Sequence, residues 1–181
     1  SFGNLAVNSD NIFVNAALSA TGVNFNALNG GAGTIVINDV LGTAGGEASF
    51  TTDSFTIGGT GGVSTLGGDV NVSTDNAAIN GLGINAGNGT VSFFRVTDGG
   101  IGLGSIGAGL NLGQSELNRI TADKFVAGNA DSGESNTTNI VVTNANLAHF
   151  DEVELNALAA SNIDFSGTNF FTSLAAATDI I

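Results

Sequence analysis

The sequence predicts an all-β chain, a solenoid of short strands joined by Gly- and Asn-rich turns. Three observations carry that reading: apolar residues alternate at a period of two along the chain, glycine and asparagine punctuate the alternations, and there is no proline in 181 residues. Runs such as Asn11-Ile12-Phe13-Val14-Asn15, Asp69-Val70-Asn71-Val72-Ser73 and Asn139-Ile140-Val141-Val142-Thr143 place two apolar side chains on one side of a very short strand. Such a strand buries little by itself, so stacking it on similar strands is the economical arrangement. A ladder in which nearly every backbone N–H is bonded also has few places for a residue without one.

Taken in order, the inward pairs are expected at Leu5/Val7, Ile12/Val14, Val23/Phe25, Ile35/Ile37, Phe55/Ile57 and Val70/Val72. The second half continues them at Leu82/Ile84, Val91/Phe93, Leu110/Leu112, Ile140/Val142, Val153/Leu155 and Ile163/Phe165. Between them, Gly45-Gly46, Gly58-Gly59, Gly67-Gly68 and Gly99-Gly100 are turn signals. Asn29-Gly30, Asn80-Gly81 and Asn88-Gly89 suit hairpins as well, so turn chemistry alone leaves parallel and antiparallel pairing open. Regularity favours coils of roughly 20–25 residues, about seven to nine layers and a rod near ~40 Å long. Ile101 to Leu112, with glycine at nearly every second place, is the least strand-like stretch and is expected as a tightly wound coil. Ser115 to Arg119 is expected to form one helical turn on a corner, capped by Ser115.

Composition bounds the rest. Apolar residues make up 42% and charged residues only 10%, enough to bury a continuous core, so the chain is not read as disordered. Glycine (28) and asparagine (23) are heavily used, and cysteine, methionine, tryptophan and tyrosine are absent, which leaves the redox compartment open. Sixteen acidic residues face three basic ones, a net charge of −13, which argues against nucleic acid and anionic membrane as partners. The acids are scattered singly and read as solvation of an amide-rich surface. No run of about eighteen apolar residues is present, so membrane insertion is not expected. The chain begins at Ser1 without methionine and does not open on a basic n-region followed by an apolar h-region, so residues 1–181 are read as one β-helical segment of a longer array or fibre, with any signal peptide upstream.

Glu116-Leu117-Asn118-Arg119-Ile120-Thr121-Ala122, followed by Phe125-Val126-Ala127-Gly128 and Ser132-Gly133, resembles the E-L-x-R-I-T-A … L-x-I-G … S-G-x-I-x-V unit of large bacterial filamentous-haemagglutinin-like exoproteins. The close match covers Gln114 to Val142; the rest is similar in composition and rhythm. Two departures are an alanine, Ala127, where an aliphatic is usual, and the insertion Glu134 to Thr138 before the Ile140/Val142 strand. The resemblance implies a right-handed parallel β-helix in a secreted or cell-surface protein exported by two-partner secretion and used in adhesion or aggregation. It implies no catalytic residue. At its corner Leu117 and Ile120 would enter the core, while Glu116 and Arg119 would pair at the surface.

Polysaccharide lyases and hydrolases on β-helices work through grouped carboxylates with Arg or Lys, and here the only such bases are Arg95, Arg119 and Lys124. Asp98 lies three residues after Arg95 and Asp123 beside Lys124, but adjacent strand residues point to opposite faces, so the latter pair does not converge, and with so few groups catalysis is not expected. His149, the sole histidine, precedes Asp151, Glu152 and Glu154, but a lone imidazole beside acids reads as a solvated corner rather than a metal centre. No cofactor is expected; calcium stays open because oxygen donors abound, although the recognised calcium loops are missing. Asn71, Asn88 and Asn136 fit the glycosylation acceptor pattern, and Asn136 has the most exposed setting. The asparagines otherwise read as amide ladders between coils. In Phe93-Phe94 and Phe170-Phe171 neighbouring rings must face opposite ways, and Phe94 and Phe171 are the candidate exposed contacts.

Three functions remain: a structural rod segment of an adhesin or fibrous exoprotein, a subunit of an extracellular filament that polymerises end to end, and a carbohydrate-binding or polysaccharide-degrading β-helix. The expected partners are adjoining coils or neighbouring copies, and host or cell-surface glycans.

Overall fold

A computed structural model describes residues 2–28, 32–104, 109–128, 137–158 and 161–176. The chain opens with β1 (Phe2–Asn8) and β2 (Asn11–Val14) and continues with β3 (Leu18–Asn26) and β4 (Thr34–Ile37). Two further coils follow: β5 (Val40–Thr43), β6 (Ala48–Thr51) and β7 (Ser54–Ile57), then β8 (Gly62–Ser64), β9 (Val70–Ser73) and β10 (Asn76–Ile79). The next part holds β11 (Gly83–Asn85), β12 (Thr90–Phe94), β13 (Gly99–Gly104), β14 (Leu110–Gly113), the one-turn helix α1 (Gln114–Leu117) and β15 (Ile120–Thr121). The chain then runs through β16 (Lys124–Ala127), β17 (Thr137–Thr143), β18 (Glu152–Leu155), β19 (Asn162–Ser166) and β20 (Leu174–Ala176).

Every strand pair among the described residues is parallel, and the molecule is a β-solenoid with three faces. β3 turns a corner and joins two of them: Leu18–Ala20 pairs with β5 and Val23–Asn26 pairs with β6. The first face therefore stacks β3, β5, β8, β11 and β15, and the second stacks β1, β3, β6, β9, β12, β16, β18 and β20. The second face is eight strands deep. Its seven steps at about 4.8 Å make a stack of roughly 35 Å. β2, β4, β7 and β10 form the lower third face, and β14, β13, β17 and β19 the upper one.

Register keeps like on like. Val23, Ala48, Val70, Val91, Phe125 and Val153 follow one another up the second face, all pointing inward and buried. Phenylalanines stack within the shaft: Phe25, Phe50 and Phe55 stand 5.9 and 5.0 Å apart, and Phe93, Phe125 and Phe150 stand 6.2 and 5.1 Å apart, centroid to centroid. One core cluster runs from Ile12 to Ile163.

Corners leave backbone groups outside the ladder, and short side chains take them up. Buried threonines supply hydroxyls to carbonyls: Thr52 to Gly33 at 2.8 Å, Thr74 to Asp53 at 3.0 Å, Thr43 to Gly46 and Thr65 to Gly68. Aspartates accept from amides: Asp53 from Gly33 at 3.1 Å, Asp69 from Thr90 at 2.8 Å, and Asp75 from Val96 and Thr97 at 3.2 and 3.0 Å. Several acids are thus structural acceptors and not only solvating charges. The asparagines divide in the same way. Asn38 donates to Asn15 at 2.8 Å as in an amide ladder, whereas Asn26, Asn85 and Asn146 each accept from the amide two residues on, closing turns.

Four expectations are corrected here. Leu82 is 71% exposed, because its strand starts only at Gly83 and Ile84 alone points inward. Phe171 is half-buried, packed edge-on against Phe165 at 5.8 Å, and Phe170 is the exposed ring at 54%; alternation shows that one ring must leave the core but not which. The glycine-rich stretch enters and leaves as ordinary strand, β13 and β14, with Ile101, Leu103, Leu110 and Leu112 buried. The residue that caps α1 is Gly113 rather than Ser115.

Candidate functional site

The stacking is interrupted once on the third face. On the first and second faces the coils follow directly, β8 to β11 to β15 and β9 to β12 to β16. On the third, two strands stand between β10 and β17, and in inverted order: β14, later in the chain, packs beside β10, while β13 lies above it and pairs with β17. β10 and β14 share no ladder, so each is the edge of its own sheet. Polar side chains gather at this break, among them two of the three basic residues of the chain.

The residues of the corner motif are placed by α1, which follows β14 directly. Glu116 Oε1 accepts from the Ile79 amide at the end of β10 at 3.0 Å, and its Oε2 accepts from the Gly113 amide at 2.8 Å. Arg119 Nη1 donates to the Ile79 carbonyl at 3.4 Å and to Ser115 O at 3.0 Å. The two side chains thus serve both polar groups of one peptide residue, as a partner strand would. They do not form the ion pair expected from their spacing; the unpaired edge of β10 draws each of them to backbone instead. Leu117 and Ile120 are buried, as the resemblance implied.

Arg95 lies where the chain climbs from β12 to β13. In the corner file it follows Thr52 and Thr74, whose amides bond to Ser73 and Phe94, so its side chain turns inward and is only 8% exposed. Its Nη2 stands 3.2 Å from Asp75 Oδ1 and donates to Thr97 Oγ1 at 3.1 Å, Nε reaches Thr97 O at 3.2 Å, and Nη1 reaches Asp75 O at 3.3 Å. Asp98, its neighbour in sequence, is not the partner. Two glycines pack around the guanidinium: a Cβ on Gly99 would lie 2.7 Å from Nη2, and Gly109, which holds φ at 95°, would bring one to 2.3 Å from the Gly100 carbonyl oxygen and 3.1 Å from Nη1. A buried charge paired and hydrogen-bonded in this way holds a geometry more than it adds net stability.

Lys124 belongs to a separate cluster on the second face. It bridges Glu152 and Glu154 of the next coil at 2.9 and 2.5 Å, rather than meeting Asp123. Hydrogen bonds to Glu152 and then Glu154 raise the Lys124 pKa above its ordinary 10.5. Hydrogen bonds from Lys124 and then Asn156 lower that of Glu154 below its ordinary value. These carboxylates are engaged and do not turn to His149, which is exposed, lies over Phe150 at 4.0 Å and places Nε2 3.2 Å from Leu117 O. Among the described residues, no three His, Asp or Glu side chains gather as a metal site would require.

Phe94 is half-buried at the end of β12, beside the fully buried Phe93. Asn136 lies outside the described residues, and Asn71 donates its amide to Glu47 at 2.7 Å. Sequence reasoning missed the Arg95–Asp75 pair, whose partners stand 20 residues apart, about one coil, and that spacing is the signal that would have found it. No family model, curated protein or solved structure matches the chain. Among the described residues no helix is long and apolar enough to cross a membrane.

Proposed function

We propose that this chain is a structural rod segment of a secreted or surface-exposed bacterial adhesin or fibrous exoprotein of the filamentous-haemagglutinin type, serving adhesion, aggregation or an extracellular matrix. The observation that carries the reading is the investment of polar side chains in continuity. Corner threonines and aspartates, Glu116 and all three basic side chains make backbone or coil-to-coil contacts along the shaft. A rod that transmits force between an anchor and a tip needs this: pulling loads the solenoid coil by coil, and each coil resists through its own ladder.

Single-molecule pulling on the ends tests the mechanical role. A rod segment releases coil after coil, in steps near ~70 Å for roughly 21 residues at ~3.4 Å each. Collapse of the whole chain in one weak event argues against the reading. Antibody labelling of intact source cells checks the location, and signal only after lysis rejects the surface assignment.

A further inference from the structure

We infer that the shaft is two stiff segments meeting at a flexible joint, with α1 as the clip that holds the joint closed and the second face as the strip on which it bends. The joint follows from ladder topology alone, whatever the shaft is used for. On the third face the ladder stops between β10 and β14. On the first face it stops above β15. That strand pairs only with β11, whose side it meets with the carbonyls of Arg119 and Thr121, accepting from Ile84 and Ala86 at 2.9 and 2.8 Å. Its other side faces an open cleft of about 530 Å³ lined by Asn118, Ile120, Thr121, Asn146, Ala148 and His149. The next pass of the chain bonds away from the cleft: Asn146 bridges to Phe170, and the Leu147 amide donates to Phe170 O at 2.9 Å. Among the described residues, only the second face carries its ladder through this level, from β9 to β12, β16 and β18.

The helix α1 lies between the two breaks, since it follows β14 and leads into β15. Toward β10, Glu116 accepts from the Ile79 amide and Arg119 donates to the Ile79 carbonyl. Toward the turn above β15, Gln114 does both for Asn146: its Oε1 accepts from the Asn146 amide at 2.7 Å and its Nε2 donates to the Asn146 carbonyl at 3.0 Å. His149, with Nε2 at 3.2 Å from Leu117 O, ties the same turn to α1. Each break is thus bridged by side chains that reach a single backbone residue, where an intact face is bridged by a whole strand. The Gln114 bonds are exposed to water, and long side chains give up rotamer freedom to make such bonds, so these bridges hold less firmly than a ladder. Both bridges also depend on one helical turn. Opening at this level therefore costs less than opening either segment, and the second face stays whole as it happens. Arg95 and Asp75 stand at the corner beside that face, where β12 climbs to β13, and pin the edge of the strip.

Amide exchange and spin-label distances on the full chain test this. In Gln114→Ala, exchange should rise about tenfold at Asn146 and also at Ile79, to which Gln114 makes no hydrogen bond, because loosening one side of the clip opens both breaks. Glu116→Ala should raise exchange at Asn146 by the same coupling. Amides inside the segments, in β7 and β19, should keep the parent's rates. Asn38→Ala, which removes a bond to Asn15 at 2.8 Å within the lower segment, should change neither Ile79 nor Asn146. The chain has no cysteine, so nitroxide pairs can be introduced without background labelling. Thr56→Cys with Val141→Cys spans the break on the third face, and Ser49→Cys with Glu152→Cys spans the same level on the second, each over four layers or about 19 Å. Glu152→Cys leaves Lys124 its bridge to Glu154. The third-face pair should show the broader distance distribution, and broaden further with Gln114→Ala, while the second-face pair stays narrow. Gln114→Ala that speeds exchange at Asn146 alone overturns the inference, since the breaks are then independent. So does a variant in which β7 and β19 accelerate equally, which is general loosening, or an Asn38→Ala chain that exchanges faster at Ile79 or Asn146. If Gln114→Ala does not fold, the parent's label pairs decide, and a third-face distribution no broader than that of the second face overturns the joint.

Discussion

Replacing Glu116 with alanine should open the solenoid locally at the break between β10 and β14. The carboxylate accepts two backbone amides, Ile79 at 3.0 Å and Gly113 at 2.8 Å. Ile79 is fully buried, so its N–H has no route to water once the acceptor is gone, and a buried unpaired donor costs about 2 kcal/mol. Gly113 is half-buried and partly recovers by hydration, which places its loss near 1 kcal/mol. The expected destabilisation is therefore about 3 kcal/mol for Glu116→Ala, or about 6–12 °C in melting temperature for a chain of this size. Glu116→Gln keeps one carbonyl acceptor and should lose about half as much.

Amide hydrogen exchange followed by mass spectrometry or NMR reads the effect where it arises. Solenoid stability is a sum of local terms, so protection at Ile79 and the end of β10 should fall while that of β4 and β6 stays. Arg119→Ala, which removes longer bonds from an exposed side chain, should cost under about 1 kcal/mol. If Glu116→Ala shifts stability by less than about 0.5 kcal/mol and Ile79 exchanges as before, the claim that a side chain stands in for a missing strand is wrong.

Three further outcomes are expected. Leu66 is 76% exposed and holds φ at 54°, a conformation a side chain resists, so Leu66→Gly should stabilise the chain by about 1 kcal/mol in urea unfolding; a loss would show that the leucine makes a contact worth the strain. Gly99→Ala should cost roughly 1–3 kcal/mol by crowding Arg95, and less in an Arg95→Ala background, since the clash is with the guanidinium; equal costs in a double-mutant cycle would locate the strain elsewhere. The Lys124 cluster adds stability above the ordinary carboxylate pKa that fades as pH falls through the lowered value of Glu154. On the alkaline side it persists to about pH 10.5 and is lost as pH rises through the raised value of Lys124. The stability difference between the parent and Lys124→Met should therefore be flat near neutrality and shrink at both extremes, and a difference that grows in acid would contradict the assignment.

How much was legible depended on whether the information was local. The pairs Ile35/Ile37, Phe55/Ile57 and Val70/Val72 read correctly because each carries both inward side chains within three residues, and strand parity does the rest. Coils with a single inward residue were passed over: β8 offers only Val63 and β15 only Ile120, and no alternation marks a strand of one apolar side chain. Parallel pairing, ambiguous in the turns, rests on spacing, since Ala48, Val70 and Val91 recur at about one coil each. The break on the third face was illegible because β14 inserts beneath a strand that precedes it, and no local pattern encodes such an order. Leu117 and Ile120 were placed through the resemblance, but the tasks of Glu116 and Arg119 depend on Ile79, some 40 residues earlier.

The excess of acid over base follows from the same long-range geometry. At each corner a coil presents amides and carbonyls that point away from its neighbours' ladder, and an unmatched buried amide is the more costly of the two, because a carbonyl retains a second lone pair. Carbonyls are met by threonine hydroxyls folded inward, at Thr52 and Thr74. Amides need an acceptor short enough to stay on the corner, and aspartate fills the place at Asp53, Asp69 and Asp75. Each added coil therefore tends to add an acid without a matching base. The basic side chains stand where a carbonyl or carboxylate lies too far for a hydroxyl: Arg95 across the step to β13, Arg119 across the broken edge of β10, and Lys124 between two glutamates of the next coil. Removing an aspartate from an intact corner should thus cost stability even as it lowers the net charge, which separates this account from one in which the acids serve only to keep the surface wet. Asp69→Asn retains an acceptor for Thr90 and should be nearly neutral, whereas Asp69→Ala should lose about 1 kcal/mol and the exchange protection of the Thr90 amide. Equal stability of the two variants would return the acids to a purely solvating role.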